Sequence, residues 1–264
     1  MSIIVLLSDS THHSRELAQQ ITSLTGYARH TQKDILEAVV AKTNRPLEDF
    51  AKCLQPASFP WHKMLFRQRN RDRLLLEEEL ADLICRNDFT YEGMLGFPLF
   101  QNISHALRIR LIKGKQAIKA ADTAAAQQNV RQVRKWAADI YGIDLDDASL
   151  FDLTLNLDHM TIMECAELVQ ATLQQQRFKA MTYSLQTTRN LALSCRVRRI
   201  VVDRLPDAQV RSHNGTVFLF ARAIRKNRNN MAMEIKNTVQ HLEGVRHVEI
   251  YGEKKSFDAA SCGQ

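Results

Sequence analysis

The feature that most constrains this chain is its opening. Ile3–Leu7 is a continuous apolar run of strand length that ends in the polar stretch Ser8-Asp9-Ser10-Thr11. A short, unbroken apolar run bounded by a turn signal predicts a strand buried on both faces. Asp9, Ser10 and Thr11 are all good N-cap residues, and Leu17, Ile21 and Leu24 then recur at helical spacing until Gly26, a natural residue for a helix C′ position. A buried strand feeding directly into an amphipathic helix is how an α/β domain begins, and it argues against all-α and all-β folds.

The pattern continues in the same sense. Helix is predicted at Ile35–Ala41, and Pro46, Pro56 and Pro60 punctuate a looser region around Trp61. Arg67–Arg73 is a charged lead into a helix at Leu74–Arg86, on which Glu77-Glu78-Glu79 reads as a solvated face. Phe89–Leu99 is ambiguous, because Gly93, Gly96 and Pro98 interrupt it. Ala106–Ile112 alternates Leu107, Ile109 and Leu111, and Leu150–Leu157 alternates Phe151, Leu153 and Leu155; both predict strands. Gln116–Tyr141 and Thr161–Leu173 read as helices. Ile3–Leu7, Leu107–Leu111 and Leu153–Leu155 are therefore expected to be neighbours in one mostly parallel sheet with helices on both faces.

The last ninety residues change character. Gln174–Leu193 reads as a helix and Val197–Val202 as a β-branched run, so Arg196, Arg198 and Arg199 are expected to lead into a strand with residues 196 and 198 on one side. Asn214-Gly215 between apolar stretches is a strong hairpin signal. Met231, Ile235 and Val239 mark a helix, and Val245–Tyr251 a final strand. The order is αββαβ. The tail after Gly252 is expected to fray.

Charge divides the chain in the same place. Residues 1–175 carry 20 Lys+Arg and 22 Asp+Glu, whereas residues 176–264 carry 16 and 7. Two domains are expected, at 1–172 and 173–264. The basic second one could meet an anionic ligand or membrane surface, nucleic acid, or the acidic first half, or could be only a solvated basic surface. No apolar run approaches the roughly 20 residues of a membrane helix. With no basic leader before Ile3, a cytoplasmic protein without a transmembrane segment is expected. Five scattered cysteines without a CxxC support neither a disulfide framework nor a cysteine-rich zinc site.

Several motifs carry a resemblance. Tyr141-Gly142-Ile143-Asp144, Ser149-Leu150-Phe151-Asp152 and the helix after Met160, together with Ser14-Arg15-Glu16-Leu17-Ala18 near the start, resemble the cytidylate-kinase-like family across residues 1–172. That family consists of P-loop nucleoside monophosphate kinases. The resemblance implies a P-loop-type, mostly parallel sheet flanked by helices. It also implies a nucleotide site at Thr11, His12, His13, Ser14 and Arg15, with Arg131 and Arg134 in the lid position. ATP and magnesium would be its cofactors only if the nucleotide site still functions. The last ninety residues resemble a BON-type domain, on Asn214-Gly215-Thr216-Val217-Phe218-Leu219-Phe220-Ala221 and Gly244-Val245-Arg246-His247-Val248. Such domains are small α+β interaction modules.

The departures from the kinase pattern matter more than the matches. The family's glycine-rich phosphate loop is replaced by Thr11-His12-His13-Ser14-Arg15, and no glycine precedes Gly26. Such a loop needs glycines so that the backbone can turn tightly and aim several N–H groups at one anion. The family's Gly-Arg-Gly region corresponds to Glu92–Phe97, without arginine, and the lid's leading Asp is replaced near Asn129. Phosphoryl transfer rests on positioning and charge neutralisation, so these losses imply an impaired catalyst. The expectation is a pseudo-kinase used for ligand sensing or protein interaction, with a BON-like docking domain and no catalytic or metal-binding residues. The alternative is an active CMP or dCMP kinase using ATP. His12 and His13 could contact an anion or a metal, or be polar residues of an exposed turn. Arg131, Arg134 and Lys135 could be a vestigial lid or an exposed basic stripe. Asp144, Asp146, Asp147 and Asp152 could be a remnant of magnesium binding or form a solvated loop.

Overall fold

The computed structural model describes residues 1–8, 11–54, 63–112, 124–225 and 229–252. Its chain divides into two compact units. Residues 1–61 and 86–184 form the first; residues 62–85 and 185–264 form the second. Residues 62–85, which lie within the first half of the chain, group with the C-terminal residues.

In the first unit, β1 (Ile3–Ser8), β2 (Ala28–Thr31), β3 (Phe89–Glu92), β4 (Ala106–Ile112) and β5 (Leu153–Asn156) form a five-stranded sheet in the order β2-β3-β1-β4-β5. All its pairings are parallel. The three strands expected to be neighbours are so, with Ile3–Ser8 in the centre. Ile3, Ile4, Val5 and Leu6 are at most 1% exposed. An uninterrupted apolar run is what a central strand covered on both faces requires. Ile4 and Leu6 share one core with Leu107, Ile109 and Leu111 of β4. Leu17 and Ile21 of α1 (Thr11–Thr25) and Cys165, Ala166 and Val169 of a later helix (Ile162–Leu173) cover them. Each fully buried Leu or Ile contributes about 1.5–3 kcal/mol, so this layer is a main source of the unit's stability.

Sequence reasoning missed β2. Ala28-Arg-His-Thr31 is only four residues long and mostly polar. It is an edge strand whose pairing with β3 outweighs its weak propensity. Thr31 then starts α2 (Gln32–Thr43) through a reciprocal capping box with Asp34. A short α3 (Leu47–Ala51) follows.

The second unit holds α4 (Lys63–Ile84), longer at its start than expected. In chain order the first unit adds α5 (Ala124–Tyr141) and α6 (Ile162–Leu173). The second unit continues with α7 (Thr182–Val201), β6 (Gln209–His213), β7 (Thr216–Phe220), α8 (Asn229–Gln240) and β8 (His247–Tyr251). This is the expected αββαβ order. β6 and β7 are antiparallel, β7 and β8 parallel. Asn214 (φ 48°) and Gly215 (φ 82°) make the tight turn between β6 and β7, the conformation that favours Asn-Gly in hairpins. Leu193, Val197 and Val201 of α7 pack with Val217, Leu219, Ile235, Val239 and Val248 in this unit's core.

Two expectations fail together here. The run Val197–Val202 is not a strand, because α7 continues to Val201. Local β propensity loses to period: Leu193, Val197 and Val201 lie at i, i+4, i+8, and all three enter the core. Arg196, Arg198 and Arg199 therefore do not form a one-sided row on a strand. The Glu77-Glu78-Glu79 run is likewise not a simple solvated face. Glu77 is 3% exposed. Arg198 lies 3.6 Å from Glu77, Arg196 lies 3.6 Å from Asp82, and Arg199 pairs with Glu78. Three arginines of the C-terminal basic excess are met by the acidic side of α4, within one unit.

Among the described residues, no helix is long and apolar enough to cross a membrane. The region around Pro56, Pro60 and Trp61, the start of Gln116–Tyr141 and the tail after Gly252 lie outside the described residues.

Candidate functional site

In an open parallel sheet, ligands bind beyond the carboxyl ends of the strands, where successive connections leave in opposite directions. Here β1 lies between β3 and β4, and the chain passes to the β2–β3 side before crossing to β4 and β5. The ends of β1 and β4 mark that position. Ser8 is in register with Leu111, and Leu7 with Arg110.

The expected nucleotide-site residues begin α1 at this edge. Thr11 is its first residue and His12 follows, with side chains outside the described set. His13 is half-buried and Ser14 is 8% exposed. Arg15 is exposed and forms no ion pair among the described residues. The helix N-terminus carries partial positive charge, so its place at the carboxyl edge of the sheet favours an anion. The turn residues Asp9 and Ser10 lie outside the described residues.

The strand beside β1 carries a group that sequence reasoning did not single out. Arg110, on β4, is 4% exposed. Its guanidinium lies 3.9 Å from Asp146 and 5.9 Å from the Phe151 ring centre. Arg134, a lid candidate on α5, donates to the same carboxylate at 2.6 Å. Arg110 and Arg134 are thus brought together by Asp146, while Arg131 is exposed on α5. The signal for Arg110 was in the alternation of β4: with Leu107, Ile109 and Leu111 on one face, Arg108 and Arg110 must share the other.

The remaining acidic residues have structural partners. Asp144 accepts the Asp146 N–H at 3.0 Å, and Asp147 accepts the Ser149 N–H at 2.9 Å. Asp152 accepts from the Arg108 N–H and Nε at 3.0 Å each. Its burial raises its pKa, but the Arg108 hydrogen bonds and the charges of Arg108 and Arg177 outweigh that, and the net shift is downward. Among the described residues, no group of three or more His, Cys, Asp or Glu is placed to hold a metal ion.

The next turn, after β3, is built tightly. The Gly93 N–H donates to the Leu6 carbonyl at 3.4 Å, alongside the end of β1. Gly93 has φ 155°, and a Cβ there would lie 2.9 Å from Gln32 Cβ and 3.1 Å from the Tyr91 hydroxyl oxygen. Gln32 accepts the Leu95 N–H at 3.1 Å, and the Tyr141 hydroxyl accepts the Gly96 N–H at 2.8 Å. No arginine stands in this turn, but Arg29 of the neighbouring β2 pairs with Glu92 at its start.

No family model matches the chain. It is similar to a cytidylate kinase from Thermoplasma volcanium, 25% identical over 159 residues, which cover 58% of this chain and 81% of the relative. Solved structures similar to it include an uncharacterized protein from Eubacterium ventriosum. That match has a TM-score of 0.45 and 9% identity, over 65% of this chain and 97% of the other. They also include a shikimate kinase from Aquifex aeolicus, with a TM-score of 0.35 and 12% identity, over 65% of this chain and 96% of the other.

Proposed function

We propose that the first unit is a cytidylate-kinase-like nucleotide-binding scaffold that has lost efficient phosphoryl transfer. In this reading the protein is a pseudo-kinase for ligand sensing or protein interaction, and its second unit is a BON-like docking module. The observation that carries the reading is the junction of β1 and α1. The central strand runs into a helix N-terminus at the carboxyl edge of a parallel sheet, yet no glycine occurs before Gly26. The helix end and Arg15 suit a single anionic group. A triphosphate needs a backbone wrapped around it, and a glycine-free junction that is already helix at Thr11 does not fit that role. The turn therefore does not fit ATP with magnesium.

The engagement of Arg134 supports the same reading. A lid arginine must reach transferring phosphates, and this one is held by Asp146 beside Arg110. The likeness to a cytidylate kinase over 81% of that relative's length favours the second reading, an active CMP or dCMP kinase.

The experiment is twofold. A thermal-shift screen with ATP, CMP and dCMP measures binding, since a ligand at a hundred times its Kd stabilises by about 2.7 kcal/mol. Incubation with ATP, magnesium and CMP measures transfer. Stabilisation without transfer above background is the expected result. Turnover in the ordinary kinase range of about 1–100 per second, abolished by Arg15→Ala, would establish the active kinase instead. No stabilisation by any nucleotide would remove the nucleotide-binding part of the proposal.

A further inference from the structure

The second unit contains a cleft of about 810 Å³, within the size range of small-molecule sites. It opens between the C-terminal end of α4, one side of α7, the Asn214-Gly215 hairpin turn and the turn that precedes β8. Three arginines line it: Arg189 and Arg196 from α7, and Arg246 from the turn before β8.

The three are not equivalent. Arg196 is committed to the acidic side of α4, 3.6 Å from Asp82 and 3.9 Å from Glu78. Arg189 and Arg246 are exposed and form no ion pair among the described residues. With Asp82 engaged by Arg196, Glu243 is the remaining carboxylate in the lining. The cleft thus keeps a positive excess, carried by two planar guanidinium groups from separate elements. Such forks match phosphate oxygens with paired N–H donors.

The fold holds one of these arginines in position. The Arg246 N–H donates to the Gly215 carbonyl at 2.8 Å. Its side chain lies flat over the hairpin turn, where a Cβ on Gly215 would come within 2.9 Å of Arg246 Cγ. Asn190 ties α7 to the same hairpin turn: its side-chain carbonyl oxygen accepts from Gln186 and from the Asn214 N–H, both at 3.1 Å. That geometry turns its amide nitrogen, a donor, away from these partners. The cleft therefore combines two unpaired cationic forks with neutral amide groups. This composition suits a phosphate group attached to a polar, hydroxyl-bearing body.

We propose that this cleft is a binding site for a small phosphate monoester, with Arg189 and Arg246 gripping the phosphate and Asn190 contacting the polar remainder. The site lies wholly within the second unit and is independent of the nucleotide reading of the first.

Cys85 supplies a local reporter, because it lines the cleft and is only half-buried, whereas Cys53, Cys165 and Cys195 are buried. Burial raises its pKa, so alkylation is followed at mildly alkaline pH. The rate of Cys85 alkylation by iodoacetamide in the full-length protein is measured by peptide mass spectrometry. The probes are inorganic phosphate, ribose 5-phosphate and AMP, with sodium chloride at matched ionic strength as control. A probe at ten times its Kd should slow alkylation about tenfold. The Arg189→Gln/Arg246→Gln variant should weaken the protection about a hundredfold. Both side chains are exposed, and circular dichroism verifies folding. Arg189→Lys, which keeps charge but not the fork, should retain partial protection. Ribose 5-phosphate and AMP separate a sugar phosphate from a nucleotide as the natural class. The proposal is overturned if no probe slows alkylation at tens of millimolar, if sodium chloride protects equally, or if the double variant is protected like the wild type. It is also overturned if an oligonucleotide protects where the small phosphates do not.

Discussion

Replacing Asp152 by Ala should destabilise the first unit by about 3 kcal/mol. The carboxylate accepts hydrogen bonds from Arg108 at its backbone N–H, Nε and Nη2, at 3.0, 3.0 and 3.1 Å, and from Arg177 Nη2 at 3.1 Å. Its side chain is 9% exposed and that of Arg108 18%. Truncating one partner of a buried pair costs about 3–5 kcal/mol, because the other charge stays behind unpaired. Water reaching Arg108 reduces that, and a charge-assisted hydrogen bond alone contributes about 1.5–3 kcal/mol. Arg177 is the internal control. Its side chain is 65% exposed, so Arg177→Ala should cost less than about 1 kcal/mol. Urea unfolding followed by Trp136 fluorescence in a Trp61→Phe background reports on the first unit, since Trp136 is buried there. For a unit of this size, about 3 kcal/mol also corresponds to a fall of roughly 6–12 °C in Tm. The pH dependence gives an independent check. The Asp152 pKa is depressed in the folded state. Its contribution is therefore present above the unfolded value, about 3.9, and is lost as pH falls through the folded value. The gap between wild type and Asp152→Ala should close in acid. A cost below about 1 kcal/mol, or one equal to that of Arg177→Ala, would refute the reasoning.

Other outcomes can be measured alongside. His105 is fully buried, with its pKa lowered by burial and by the N-terminal charge. The unfolded state then binds the extra proton, so stability should fall as pH drops below about 6.5, and urea midpoints of His105→Gln should flatten that dependence. Gly93→Ala should cost about 1–3 kcal/mol, since φ and the 2.9 Å approach to Gln32 both oppose a Cβ; a neutral urea midpoint would contradict this. A fragment spanning 182–252 keeps the core cluster of Val197, Val217, Leu219, Ile235, Val239 and Val248 intact and should unfold cooperatively by itself. Without α4 it should elute from a phosphate-bearing cation exchanger at higher salt than the full-length protein, because Arg196, Arg198 and Arg199 lose their carboxylates. Equal elution would show that those pairs do not screen them.

What the sequence made legible was whatever depends on short-range pattern. Ile3–Leu7 could be little else than a central strand, and Asn214-Gly215 little else than a hairpin turn. Illegible were the features decided by partners far along the chain. Ala28–Thr31 carries almost no strand signal and exists because β3 lies beside it. Val197–Val202 carries a misleading one, because β-branched residues were weighed locally while the apolar face follows helical period. The arginines of α7 looked like a free cationic surface, since nothing at that point in the sequence reveals carboxylates more than a hundred residues earlier. At the candidate nucleotide site, α1 was placed by its own residues. The pairing of Arg110 with Arg134 through Asp146 depends on three separate elements and was not foreseen.

The position of α4 has a consequence for how the chain is made. The ribosome delivers α4 early, and α7 begins at Thr182, 98 residues after α4 ends at Ile84. At about 5–20 residues per second, an interval of roughly 5–20 seconds separates the two. For that time Glu77, Glu78 and Asp82 have been synthesised and the α7 arginines that pair with them have not, while β3, β4 and β5 of the other unit emerge in between. The nascent chain therefore carries the acidic C-terminal half of α4 through the synthesis of the last three strands of the five-stranded sheet. A chain that stopped after β5 and before α7 would carry Glu77, Glu78 and Asp82 without the α7 arginines that pair with them in the complete protein.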